Sequence, residues 1–190
     1  MTRPRWHLPV FALVCVAQLA VALSIIFSSE RVLEQGTLWR FRTAPVDPVD
    51  LVRGRYVALR FEGTTGAVVP GETLAVGQEG YALLETGDGG FARVSRVHAA
   101  RPAAGDYLAV RITEVTPEIA RFQFPVDRFY MPEELAPEAE RAQVDVQRAG
   151  GAVWAEIRVH EGHAMIEQLM IDGVPVGEFV RRTTTAVPPP

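Results

Sequence analysis

His160 and His163 are separated by Glu161-Gly162, a dipeptide suited to a two-residue hairpin turn. Such a turn makes the two imidazoles the closing pair of a hairpin, opposite each other on one face. The same register sets Arg158 against Met165 and Glu156 against Glu167. Two imidazoles and two carboxylates on one face have the chemistry of a metal site, with His160 and His163 as ligands and Glu156 or Glu167 as a third. A zinc ion asks for four ligands, however, and Arg158 between the carboxylates neutralises them without a metal. On that second account the face meets solvent and the histidines flank a turn. A slip of one residue would scatter the four side chains over both faces.

Asp47, Asp50 and Asp106 are the candidates for proton transfer, and each stands beside Pro or Gly. An aspartate in that setting accepts bonds from backbone N–H groups two residues on, a structural duty that competes with catalysis. Tyr56 and Tyr107 each follow one of these turns, and an interior phenol bonded to a loop is the simplest reading of both. Ser95 and His98 lie three apart at one strand end, so they point to opposite faces and a Ser–His pair is not expected. Glu133 opens an acidic segment with Glu134, Glu138 and Glu140, read as a solvated helix face or as a docking surface for a basic partner. It lacks the ligand spacing of a calcium loop.

Composition narrows the chemistry further. All 19 basic residues are arginine, and without lysine there is no Schiff base, no Ser–Lys dyad and no phosphate-cradling lysine. The one cysteine, Cys15, rules out an intramolecular disulfide and a multi-thiolate zinc centre. A net charge of −4 with interspersed signs gives no basic stripe for nucleic acid. No cofactor is expected.

The elements that position these residues divide the 190-residue chain into an anchor and one domain. Leu8 to Phe27 is almost wholly apolar and at 1.5 Å per residue spans ~30 Å, the thickness of a bilayer core. Arg3, Arg5 and Trp6 precede it, so residues 1–7 are expected in the cytoplasm, 8–28 as a transmembrane anchor and 29–36 as a helical extension that stops at Gly36. A cleaved signal peptide is the rival, with Ala20-Val21-Ala22 as its cleavage site; the apolar residues that continue past Ala22 favour an anchor.

Residues 37–180 are expected to form an extracytoplasmic β-domain, and 181–190 a disordered tail. Strands are predicted at Thr37–Thr43, Tyr56–Phe61, around Thr73–Val76, at Tyr81–Thr86, Phe91–Val97 and Gly105–Ile112, over Arg121–Tyr130 with a break at Pro125, and at Val144–Gln147, Val153–Val159 and Ala164–Ile171. One short acidic helix is predicted over Pro137–Gln143. The fold class is therefore mainly β, a compact antiparallel barrel or sandwich on a single N-terminal helix.

The segment from Pro45 to Phe61, PVDPVDLVRGRYVALRF, carries a resemblance. Gly54, Tyr56 and Leu59 match the motif of the bacterial GDYXXLXY family, while Arg55 replaces its Asp and Phe61 its last Tyr. Gly105-Asp106-Tyr107 repeats the intact triplet ahead of a second strand. The resemblance implies a membrane-anchored protein that works beside a multi-pass inner-membrane protein, with Asp47, Asp50, Gly54, Tyr56, Gly105, Asp106, Tyr107 and Glu133 as motif positions. A non-catalytic accessory protein is thus the first expectation. A membrane-tethered metal-dependent hydrolase on the His160/His163 face and a ligand-binding module are the alternatives.

Overall fold

A computed structural model describes residues 6–44 and 56–186, leaving the side chains at 7, 8, 22, 25, 28 and 184–186 outside the description. Asp47, Asp50, Gly54 and the lead-in to the motif lie outside the described residues. The chain begins with helix α1 (His7–Gln35), continuous through the expected extension and ended by Gly36, whose N–H donates to the Val32 carbonyl at 3.0 Å. Among the described residues no helix is long and apolar enough to cross a membrane.

The remainder is mainly β. Strand β1 (Thr37–Ala44) sits between β10 (Val153–His160) and β3 (Arg60–Phe61), while β11 (His163–Ile171) and β12 (Val174–Pro175) continue beyond β10 to give a five-stranded sheet. Along β10 every second residue (Val153, Ala155, Ile157, Val159) is buried, the period-2 pattern of a strand with one covered face. Strands β4 (Thr65–Val68), β5 (Glu79–Thr86), β6 (Ala92–His98), β7 (Tyr107–Val115) and β8 (Ile119–Gln123) close into a barrel in the order β4-β6-β5-β7-β8. Its closure passes through a parallel β4–β6 contact. There a Cβ on Gly66 would lie 2.7 Å from Val94 Cγ1 and 2.9 Å from Val97 Cγ2, so only glycine lets the strands meet.

The motif strand is interrupted at Leu59. Its first part, β2 (Tyr56–Ala58), pairs with β9 (Arg128–Tyr130), and β3 turns to β1. Val57, Leu59 and Phe61 are all buried, as alternation predicts. Phe61 packs at 4.3 Å on Phe124, and Phe41 of β1 meets Phe124 at 5.0 Å, so three rings join barrel and sheet into one core.

Several expectations need correction. The first barrel strand in chain order is Thr65–Val68, and Thr73–Val76, expected as a strand, belongs to an irregular connection. Val144–Gln147 is not a strand but the second half of α2 (Ala136–Arg148). That helix runs on because its last turn is fastened to β1. The Gln147 amide donates at 3.0 Å to the Thr43 carbonyl and hydroxyl, and that hydroxyl donates to the Val153 carbonyl. Nor is the C-terminal stretch a tail from residue 181. Helix α3 (Val176–Ala186) carries the chain to 186, burying Val176 and Val180 one turn apart, with Arg182 paired to Glu178.

Candidate functional site

The tip of the β10–β11 hairpin is where the candidate residues gather. Glu161 (φ 49°) and Gly162 (φ 88°) form the two-residue turn expected there, with both residues at positive φ as the twist of a hairpin requires. His160 pairs with His163 and Arg158 with Met165. Beyond that the register shifts. A bulge sets Glu156 opposite Gln168 and leaves Glu167 facing Arg158. The Arg158 guanidinium donates to Glu167 from Nε at 2.7 Å and from Nη2 at 3.5 Å, and its Nη1 donates to the Gly36 carbonyl at 3.1 Å. Glu156 instead lies 3.5 Å from Arg40. The expected four-residue constellation is therefore divided between two arginines. Among the described residues no group of three or more His, Cys, Asp or Glu is placed to hold a metal ion.

The turn itself docks on the second Gly-Asp-Tyr segment. The Gly162 carbonyl accepts the Ala109 N–H at 2.9 Å, and Gly162 bridges Leu108 in parallel. A Cβ at Gly162 would stand 2.9 Å from Tyr107 Cε2 and 3.3 Å from Ala109 Cβ. Tyr107 is buried, with its ring edge-on to Tyr81 at 5.7 Å and the Arg101 guanidinium 5.6 Å from its centroid. Arg101 reaches across to Glu161 at 3.0 Å, and that hydrogen bond, with the nearby Tyr107, raises the arginine's pKa above its usual value. Gly105 supplies the positive-φ turn (φ 88°) before β7. Asp106 accepts the Trp39 indole N–H at 3.0 Å, a link between β1 and the barrel. The aspartate is thus a structural acceptor between two layers, and the segment reads as a joint.

On the other side of the tip lies a cleft of about 770 Å³, lined by Ser24, Phe27, Arg31, Val32 and Gln35 of α1 and by His160, Glu161 and His163. Ser24, Phe27, Arg31 and Gln35 recur at helical spacing and form one stripe. Val32 is buried against the domain and seats the helix there. Arg31 makes no ion pair with any described residue.

The other expected residues lie elsewhere. Tyr56 is half-buried on the β2–β9 ribbon, edge-on to Tyr130 at 5.9 Å with Arg128 5.0 Å from its centroid. Glu133 is exposed ahead of α2. Ser95 donates to the Leu83 carbonyl at 3.4 Å, while His98 lies 3.2 Å from Glu72, so these two do not meet. Trp39 and Arg101 went unsuspected in the sequence because their partners are distant in the chain, and Arg31 because the other wall of its cleft comes from residues 160–163. Trp39 and Asp106 are 67 positions apart.

The family model for GDYXXLXY protein matches residues 18–169, most of the chain. This protein belongs to the GDYXXLXY family. Its matched region includes both Gly-Tyr segments, the barrel, and the β10–β11 hairpin as far as Leu169. No curated protein and no solved structure matches the chain.

Proposed function

We propose that this GDYXXLXY protein is a non-catalytic accessory protein of the inner membrane. Helix α1 is its anchor, the N-terminus is cytoplasmic, and the β-domain is presented outside to a multi-pass membrane partner. The observation that carries this reading is the surface of α1. Phe11, Leu13, Val16, Leu19 and Val21 are each more than 60 % exposed, and Val10, Val14, Leu23, Ile26 and Phe27 are exposed as well. These residues point in all directions around the helix axis, which suits lipid rather than water. Among the described residues of α1, Val32 in its last turns is buried against the domain. The structural use of Asp106, Glu167 and Glu72 supports a binding rather than a catalytic role.

Crosslinking in intact membranes with a tagged full-length chain tests the proposal. One dominant multi-pass protein, crosslinked reproducibly to the β-domain, is expected. Recovery of the chain alone, or only with itself, would refute the accessory role. The cleft between α1 and the hairpin tip favours a second reading, a ligand-binding module, because its volume suits a small ligand.

A further inference from the structure

We infer that the cleft between α1 and the β10–β11 tip binds the phosphate of an anionic phospholipid headgroup, an inference that rests on α1 lying in the membrane. The helix wall of the cleft changes character along one stripe, from Ser24 and Phe27 to Arg31 and Gln35. Four residues separate Phe27 from Arg31, a rise of ~6 Å, so the stripe passes from acyl depth to headgroup depth within about one turn. The guanidinium of Arg31 is without an ion-pair partner among the described residues and presents a fork of donors that matches phosphate oxygens. His160 and His163 line the same cleft from the hairpin side, each with a donor nitrogen to offer, and the Gln35 amide adds another.

The one carboxylate in the lining, Glu161, is held at 3.0 Å by Arg101, so it opposes an incoming anion less than a free carboxylate would. Arg158, two residues from the tip of the same hairpin, is already committed to Glu167 and the Gly36 carbonyl. That leaves Arg31 as the cation available to a ligand. A volume of about 770 Å³ admits a phosphodiester with its glycerol and the start of two chains, for which Phe27 and Val32 give apolar contact. A small soluble anion would leave most of that space empty. The lipid source is therefore favoured over free phosphate.

The test uses the full chain reconstituted in vesicles of phosphatidylcholine alone or mixed with phosphatidylglycerol, followed by gentle extraction and native mass spectrometry of retained lipid. The expected result is one phosphatidylglycerol kept per chain, with occupancy lowered about tenfold in Arg31→Gln, the effect of losing one charge-assisted contact. A smaller loss is expected in the His160→Gln/His163→Gln pair. Arg182→Gln, whose partner Glu178 lies on α3, should leave retention unchanged. Equal retention of both lipids, or an Arg31→Gln chain that keeps phosphatidylglycerol, overturns the headgroup site. Displacement of the lipid by glycerol phosphate at matched concentration overturns the lipid source. A chain that floats with neither vesicle type refutes the membrane anchor itself, a failure distinguishable from loss of the headgroup site alone.

Discussion

Replacing Gly162 by alanine tests whether the hairpin tip presses on the Gly-Asp-Tyr segment. At φ 88° any Cβ is strained, at about 1–2 kcal/mol. The added methyl would also stand 2.9 Å from Tyr107 Cε2 and 3.3 Å from Ala109 Cβ. Tyr107 has little room to yield, since it is only 6 % exposed and packs on Tyr81. Overpacking of this kind costs about 1–3 kcal/mol. Alanine's narrower unfolded ensemble returns roughly 0.5–1 kcal/mol, which leaves a net destabilisation of about 1–4.5 kcal/mol. Gly173 supplies the matched control. It follows Asp172 in the turn between β11 and β12, with φ 84°, and nothing lies within 4 Å of its missing Cβ. Gly173→Ala therefore carries the backbone strain without the collision. Urea unfolding of the full chain in detergent, followed by near-UV circular dichroism, should place the Gly162→Ala midpoint below that of Gly173→Ala by about 1 M. Equal midpoints would show that the tip does not bear on Tyr107, and the joint described above would be wrong.

Other perturbations read different parts of the structure. Trp39→Phe removes the indole donor from Asp106 and should lower stability by about 1–2 kcal/mol in thermal melts, whereas Asp106→Asn, which keeps an acceptor, should cost less. Gly36→Ala would drive a Cβ into the Val32 carbonyl oxygen and to 3.2 Å from the backbone nitrogen of Val159. Amide exchange should show lost protection in the last turn of α1, with the barrel strands unchanged. Burial raises the pKa of Glu140 above its ordinary 4.5. A carboxyl so shifted favours the unfolded state when ionised, so its penalty is present above the folded pKa and disappears as pH falls through that value toward 4.5. Glu140→Gln should accordingly be at least as stable as the parent at pH 7, with the advantage gone near pH 4, as followed by melts across that range.

What the sequence disclosed follows from how local each signal is. The alternation in Val153–Val159 and the Glu161-Gly162 turn are properties of neighbouring residues, and the structure keeps both, down to the His160–His163 pair. The Glu156–Glu167 pairing failed because a bulge is set by packing on both faces and leaves no mark in the alternation. Val144-Asp145-Val146-Gln147 has a strand's period, yet the Gln147–Thr43 bonds hold it in a helix across 104 positions. Residues 181–190 read as a tail because they are polar and end in prolines, yet the burial of Val176 and Val180 sustains a helix as far as Ala186. One local signal was overlooked. Asp172-Gly173 is a hairpin dipeptide of the same kind as Glu161-Gly162, and it leads into β12. The site was less legible than the fold, because the lining of the cleft combines residues 24–35 with residues 160–163.

The five-stranded sheet ends in β12 on one side and β3 on the other, and each of these strands is two residues long. One carries Pro175, which has no N–H to donate, and the barrel is closed on itself. Those two strands offer a foreign chain almost no ladder of their own to extend, while covering β11 only at Met170 and Ile171 and β1 only at Thr43 and Ala44. The same economy restricts how any partner can hold the sheet there. At β12 and β3 themselves there is little main chain to pair with, so a partner meeting the sheet there must grip side chains, and its selectivity at those borders will rest on their shape and charge.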